Sequence, residues 1–303
     1  MNFNAKTYWL HTLTSVHVGV GRGVGFIDLP IMREKVTNWP IVPGSSVKGV
    51  IADYFGAWES ARTEKSDKSA RHRQAFGLAG DEYSQSGALI FTDARVVCLP
   101  IRSLYGTFCW ISSPMVMNRL KRDLESTGFS AVPSIPHIPN TNTALSAKTD
   151  QCAVHSGGKV FLEDLDLALS ENKALTPWVE MISRSVFPED LTWQQEFARR
   201  YCVVSDETFD FLSDTATEVQ ARIKIDAETK TVSKGMLWYE ESLPAETILA
   251  GIAACTPFSS SGPLDPGDLM NEYCSKELRI QIGGKSTTGK GRVRCVFSSG
   301  RNS

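Results

Sequence analysis

The chain has 303 residues, a formal net charge of -2 at pH 7, 42% hydrophobic residues and 22% charged ones. That length suits about two domains, or one domain with large insertions, in a globular chain. No apolar run approaches the roughly 18 residues of a membrane helix, and the charge is not that of a free-standing basic nucleic-acid binder, so any nucleic-acid surface is local. Seven cysteines are scattered without a CxxC pair. This argues against a zinc ribbon and fits reduced thiols in a cytosol. The opening residues lack the charged-then-apolar pattern of a secretion signal, so a cytoplasmic protein is expected.

In chain order, residues 6 to 18 read as a strand entering the glycine-rich stretch Gly19–Gly25 (GVGRGVG). Asp28 follows, then a turn, then the run Pro43-Gly44-Ser45-Ser46-Val47-Lys48-Gly49. Val50, Ile51, Tyr54, Phe55 and Trp58 fall at helical spacing, which predicts an amphipathic helix over 45–58. Its start carries two hydroxyls and a lysine. Unpaired N–H groups and a partial positive charge make such an end a natural anion site. A carboxylate beside a phosphate-binding helix start suggests chemistry on or near a phosphodiester.

Residues 62 to 73 are charged and predicted to lie at the surface. Strands are expected at 87–98 and near 106–111. Ser113-Pro114 reads as a cap and first-turn proline opening a helix to about Glu125. The segment 126–157 has little periodicity and reads as a long loop or insertion. A strand is predicted over 158–168, mostly helix over 173–200, a short strand over 201–205, and a helix capped by Ser205 or Asp206. Arg279–Ile282 alternates as a strand, a glycine-rich loop spans 283–291, and Arg292–Phe297 alternates again. No repeat is visible, and an α+β domain with insertions fits better than a doubly wound sheet or a barrel.

Two glycine-rich stretches invite nucleotide readings. Gly19–Gly25 does not satisfy GxGxxG in any register, so the dinucleotide reading fails. Gly284–Gly291 nearly matches a P-loop, but Gly291 stands where a Ser or Thr would hold magnesium, and the loop joins two strands. Two readings remain: a flexible hairpin connection, or a backbone-lined phosphate cradle. Lys285, Lys290, Arg292 and Arg294 crowd this stretch without an acid. Residues 216–241 read as a long β-hairpin with Arg222 and Lys224 on one face and Ile223 and Ile225 on the other. Such a hairpin is either packed on the core or a projecting arm.

Together these stretches resemble the repeated backbone subunit of Cmr-type (type III-B) CRISPR effector complexes, in the RAMP superfamily. The matching segments are Leu13–Gly19 (LTSVHVG), Asp28–Glu34 (DLPIMRE), Ile41–Gly49 (IVPGSSVKG), Arg102–Trp110 (RSLYGTFCW), Thr217–Asp226 (TEVQARIKID), Gly235–Glu241 (GMLWYEE) and Ile282–Gly291 (IGGKSTTGKG). The 126–200 region matches least. The resemblance implies a single RAMP-type domain over 1–303 with a modified RRM-like, ferredoxin-like palm. Fingers are inserted over 126–200, and a β-hairpin thumb falls on 216–241. It implies copies stacked head to tail along a guide RNA, with other Cmr-type subunits as neighbours and no membrane partner. The thumb would wedge between guide–target base pairs and displace a nucleotide, and Asp28 would cleave the target RNA beside it.

The same resemblance implies that Ser45, Ser46, Lys48, Gly283, Gly284, Lys285, Thr288, Gly289 and Lys290 grip the guide. Arg33, Arg222 and Lys224 are candidate backbone-phosphate contacts. RNA carries its own nucleophile, the 2′-hydroxyl, so cleavage needs in-line geometry, proton removal and charge stabilisation. Asp28 is a candidate general base or a ligand for Mg2+ or Mn2+, with water and substrate phosphate completing the shell. The resemblance favours the metal; the residues alone do not show it. His17 is a candidate proton donor or phosphate contact, or a packing residue. Tyr239, Glu240 and Glu241 are candidates for target contact or support of the site. Trp39 and Trp238 suit either base stacking or the core. Two other readings are a purely architectural guide-binding subunit and a small-molecule NTPase built on the 284–291 loop.

Overall fold

A computed structural model of the chain describes residues 4–21, 27–60, 67–78, 85–225, 228, 230–259, 262–263 and 265–300. The expected glycine-rich loop at 19–25 thus falls partly outside the described residues, as does part of the charged stretch at 62–73.

The strands are β1 (Asn4–Thr12), β2 (Leu89–Phe91), β3 (Ala94–Arg102), β4 (Phe108–Ser112), β5 (Thr143–Ser146), β6 (Lys159–Leu162), β7 (Leu165–Glu171), β8 (Tyr201–Val203), β9 (Glu218–Ile225), β10 (Val232–Ser242), β11 (Ile248–Cys255), β12 (Leu278–Gln281) and β13 (Arg292–Ser298). The helices are α1 (Gly44–Ser60), α2 (Asp67–Phe76), α3 (Pro114–Ser126), α4 (Thr176–Val186), α5 (Leu191–Arg200), α6 (Asp206–Thr215) and α7 (Pro266–Tyr273). One large sheet runs β12–β13–β1–β11–β3–β4–β8–β5–β7–β6, and β2 also pairs with β11.

The palm is the part β13–β1–β11–β3. Its strands are antiparallel to their neighbours, while β1–α1–β3 and β11–α7–β13 are interleaved crossovers. This is the ferredoxin-like arrangement. Alternation along β1 explains why it is central: Tyr8 and Leu10 point into one core and Trp9 into another, all fully buried. β11 does the same with Leu249 and Ala250. Gly251 is required there, because a Cβ would stand 2.5 Å from the Tyr8 hydroxyl that crosses it. The first core lies under α1 and α7, where Val47, Ile51, Leu269 and Met270 are buried. The second lies under α3, α4 and α5.

Several elements differ from their sequence reading. The first strand ends at Thr12, and the chain to Gly19 pairs only through isolated bridges, Val16 with Leu243 and Gly19 with Ile31. The strand expected at 87–98 is broken into β2 and β3 at Thr92-Asp93, because the Asp93 carboxylate turns aside to accept the Gly44 amide at 2.8 Å and caps α1. The strand expected at 158–168 is the hairpin β6–β7, turned at Glu163 with φ of 47°. The charged stretch includes a helix, α2, whose His72 donates to the Ala52 carbonyl of α1. β11 and α7 lie in a stretch where no element was predicted. The 126–200 region contributes β5, β6 and β7 to the far end of the sheet, and its α4 packs against β1 and β13.

Other elements match their reading. α1 begins one residue early, Ser113 accepts the Val116 amide to cap α3, and Ser205 accepts the Thr208 amide to cap α6. The hairpin β9–β10 forms its own two-stranded sheet, joined to the rest of the chain at its base by a bridge between Leu29 and Glu240. Val219, Ile223, Ile225 and Leu237 on one of its faces are all exposed, so it projects as an arm.

Candidate functional site

The base of that arm meets the loop after β1, the DLP segment and the glycine-rich loop between β12 and β13. Residues 28 to 33 run extended between two partners. On one side the Leu29 amide donates to the Tyr239 carbonyl at 3.1 Å, and the Glu241 amide donates to the Leu29 carbonyl at 3.0 Å. On the other the Met32 amide donates to the Val18 carbonyl at 2.8 Å. Asp28 stands at the open end of this ribbon. It is exposed, and its Oδ2 accepts the Tyr239 amide at 2.8 Å. That bond orients the carboxylate and leaves Oδ1 without a partner among the described residues.

Glu241 holds the ribbon from beneath and is 3% exposed. Its Oε2 accepts the Ile31 amide at 3.0 Å; its Oε1 accepts Arg33 at 2.7 Å and the Thr217 hydroxyl at 2.9 Å. Its carbonyl accepts His17 Nδ1 at 2.6 Å. A carbonyl only accepts, so Nδ1 carries the proton and Nε2 is the nitrogen left over. His17 is buried beneath Gly19, where an added Cβ would stand 2.9 Å from Nε2. In this position His17 ties the arm to the palm, which is the packing alternative of its sequence reading.

Glu240, the next residue, faces the glycine-rich loop. Its Oε1 accepts Lys285 at 2.8 Å and the Trp238 indole at 2.7 Å, and Arg222 lies 3.4 Å from Oε2. Burial works to raise its pKa, but these donors and charges together outweigh it and hold the carboxyl down at about 2. Lys290 is buried and donates to the Ser242 hydroxyl at 2.7 Å. Burial, then the charge of Arg222, lowers its pKa. The loop closes on β1's extension: the Gly284 amide donates to the His17 carbonyl at 2.9 Å. Gly283 has φ of 82°, and a Cβ there would collide with that same carbonyl at 2.2 Å. A single 3-10 turn, Ser286–Thr288, follows Lys285, so the loop lacks the helix a P-loop requires.

The structure therefore brings His17, Asp28, Arg33, Arg222, Tyr239, Glu240, Glu241, Gly283, Gly284, Lys285 and Lys290 together. Thr288 and Gly289 lie farther along the same loop, and Lys224 is exposed along the arm. Ser45, Ser46 and Lys48 stand apart, at the start of α1. There the Lys48 amine, half-buried and lowered in pKa by that burial, donates to the Leu89 carbonyl at 2.8 Å, and Asp93 already satisfies Gly44. Trp39 is core: its ring packs edge-on to Phe209 at 5.0 Å and its indole donates to Asp210. Trp238, read as a stacking or core residue, donates its indole N–H to Glu240, while Thr217 and Ser242 were not anticipated. Their roles arise from contacts that no local pattern encodes.

The family model of the RAMP superfamily matches residues 9–294. The chain belongs to the RAMP superfamily. Among RAMP relatives it is 33% identical over 298 residues to the CRISPR system Cmr endoribonuclease Cmr4 of Pyrococcus furiosus, covering 97% of this chain and 95% of that one. It is 24% identical to the CMR subunit Cmr4 of Saccharolobus solfataricus, covering 95% and 94%. Among solved RAMP structures, oligomeric Cmr4 from Pyrococcus furiosus superposes with a TM-score of 0.73 at 26% identity, covering 98% of this chain and 99% of that one. A chain of the type III-B Cmr-beta complex bound to cognate target RNA gives 0.71 at 20% identity over 97% and 96%, a likeness of fold. This RAMP chain is thus similar over nearly its whole length to the Cmr4 proteins of these two archaea.

Proposed function

We propose that the chain is the repeated backbone subunit of a type III-B CRISPR effector complex. It lines a guide RNA as a helical filament of its own copies beside other Cmr-type subunits, and it cleaves complementary target RNA at regular intervals. The observation that carries this reading is the placement of Asp28: an exposed carboxylate with one oxygen unpaired among the described residues, fixed by the backbone of a projecting hairpin. The 33% identity to a Cmr endoribonuclease supports it. The basic loop Lys285–Arg294 beside it suits a phosphate backbone, and no helix among the described residues is long and apolar enough to cross a membrane. The cytoplasm is its proposed place.

In this reading Asp28 Oδ1 accepts the proton of a target 2′-hydroxyl, a role worth about 10² to 10⁴-fold in rate. The arm distorts the strand towards in-line attack, and the ribbon under Asp28 keeps the carboxylate at the distorted step. Lys285 and Arg222 leave a net positive charge around Glu240 for the neighbouring phosphates. Tyr239 presents its ring beside the same step. Among the described residues no group of three His, Cys, Asp or Glu side chains is placed to hold a metal. As the alternative to that base role, a single carboxylate fits an ion whose shell the RNA and water complete; Asp28 would then be the protein ligand of Mg2+ or Mn2+, which would supply charge stabilisation at the phosphate. Replacing Asp28 by Ala in a reconstituted complex tests the reading: cutting is lost while target binding stays near wild type. Unchanged cutting would leave an architectural subunit.

A further inference from the structure

Glu240 and Glu241 are neighbours on β10, so their side chains leave opposite faces of the arm. Glu240 turns to the glycine-rich loop, where it meets Lys285. Glu241 turns to the ribbon that carries Asp28. At its base the arm has this ribbon as a third strand. Leu29 bridges Glu240 in parallel, its amide donating to the Tyr239 carbonyl and its carbonyl accepting the Glu241 amide. On the far side of the ribbon, Ile31 bridges Gly19.

The Glu241 carboxylate is where the ribbon and both legs of the arm meet. The Ile31 amide at 3.0 Å and the Arg33 guanidinium at 2.7 Å come from the ribbon. The Thr217 hydroxyl, at 2.9 Å, comes from the residue before β9. Thr217 thus roots one leg of the arm and Glu241 the other, and a single hydrogen bond closes the hairpin between them. An ionised carboxylate has about four acceptor sites, so three donors nearly fill it. Glu241 is buried and Thr217 half-buried. Hydrogen bonds to an ionised group are shorter and stronger than neutral ones, which makes the joint stiff. Asp28 and the Tyr239 amide form the next contact outward along the same two segments.

We propose that Thr217 and Glu241 are positioning residues for RNA cleavage. They lock both legs of the arm to the ribbon, so that Asp28 keeps one place relative to the strand step the arm opens. The proposal rests on the reading of Asp28 as the cleaving group. Neither residue touches the RNA; both act through the ribbon. Without the Thr217 hydroxyl the first leg is released from Glu241, and the arm gains play against the carboxylate. In-line attack tolerates little of it, since a misplacement of about 1 Å can cost about 100-fold in rate.

Single-turnover cutting of a complementary RNA by the reconstituted complex, at saturating target and beside the target Kd, tests it. Thr217→Val keeps the shape and removes the hydroxyl. It should cut about tenfold more slowly, the scale of one hydrogen bond to a charged group, with the Kd near wild type. Thr217→Ser returns a hydroxyl and should cut close to the wild-type rate, a rescue that a loss of packing would not give. Glu241→Gln should cut more slowly than Thr217→Val, and Thr217→Val decides the matter if Glu241→Gln fails to assemble. Cutting by Asp28→Ala in the same assay would overturn the reading of Asp28 and this proposal with it. With Asp28→Ala inactive, a wild-type rate in Thr217→Val overturns the proposal alone. So does a Thr217→Ser rate no better than that of Thr217→Val, or a loss carried by target affinity.

Discussion

Asp28 and Tyr239 are joined by one hydrogen bond, the Tyr239 amide donating to Asp28 Oδ2 at 2.8 Å, across 211 residues of sequence. The bond couples the position of the carboxylate to the base of the arm. Asparagine keeps an acceptor for that amide and loses the charge; alanine loses both. Asp28→Asn should unfold within about 0.5 kcal/mol of wild type, and Asp28→Ala about 0.5–1.5 kcal/mol lower. Both should cut target RNA at least about 100-fold more slowly. Chemical denaturation beside single-turnover cleavage checks the pair, and an active Asn variant would remove the need for a charged oxygen.

Arg33 bonds two acids of very different setting. Glu241 is buried and 2.7 Å away, while Asp214 is 57% exposed and 3.4 Å away. Glu241→Gln leaves a half-buried guanidinium short of its partner and should cost about 2–4 kcal/mol. Asp214→Asn should cost less than about 0.5 kcal/mol. Thermal unfolding of the two variants orders them; equal losses would show that Glu241 does not hold the ribbon.

Glu240 titrates at about 2 in the fold against 4.5 ordinarily, so its charged form favours the folded state. That contribution is complete above the unfolded value of 4.5 and is lost as pH falls from there towards 2. At about 1.36 kcal/mol per unit it is of the order of 3 kcal/mol. Urea midpoints between pH 6 and pH 3 should fall more steeply for wild type than for Glu240→Gln. Parallel profiles would contradict the Lys285–Glu240–Arg222 cluster.

All seven cysteines are free thiols and buried. A thiol reagent should titrate almost none of them in the native chain and all of them in denaturant, because burial raises the pKa of thiols such as Cys98, Cys274 and Cys295 and excludes the reagent. Rapid native labelling of one thiol would place it on a surface the fold does not give it.

Local chemistry made α1, α3, α6 and the arm legible, but not α2 or α7. Ser113-Pro114 and Ser205 announced their caps, the spacing from Val50 to Phe55 announced α1, and alternation announced β9 and β10. What it did not show depends on distant partners. Asp93 interrupts a strand because Gly44 needs an acceptor, and β11 is central because β1 lies beside it. Asp28, Lys285 and the arm stood out in sequence as separate features. Their common floor, Glu241, is built from contacts 24, 208 and 210 residues apart, which no periodicity reports. Ser45, Ser46 and Lys48 stood out for the same local reason as any helix start, and Asp93 and Leu89 already occupy part of that end.

On the proposed reading, Asp28 cleaves RNA only within a guide-loaded assembly. The most direct measurement maps cuts in an end-labelled complementary RNA, comparing complexes assembled from wild-type and from Asp28→Ala subunits. Evenly spaced cuts are expected with wild type and none with the variant, at target affinities within about twofold. Cuts persisting at the same spacing with Asp28→Ala would contradict it.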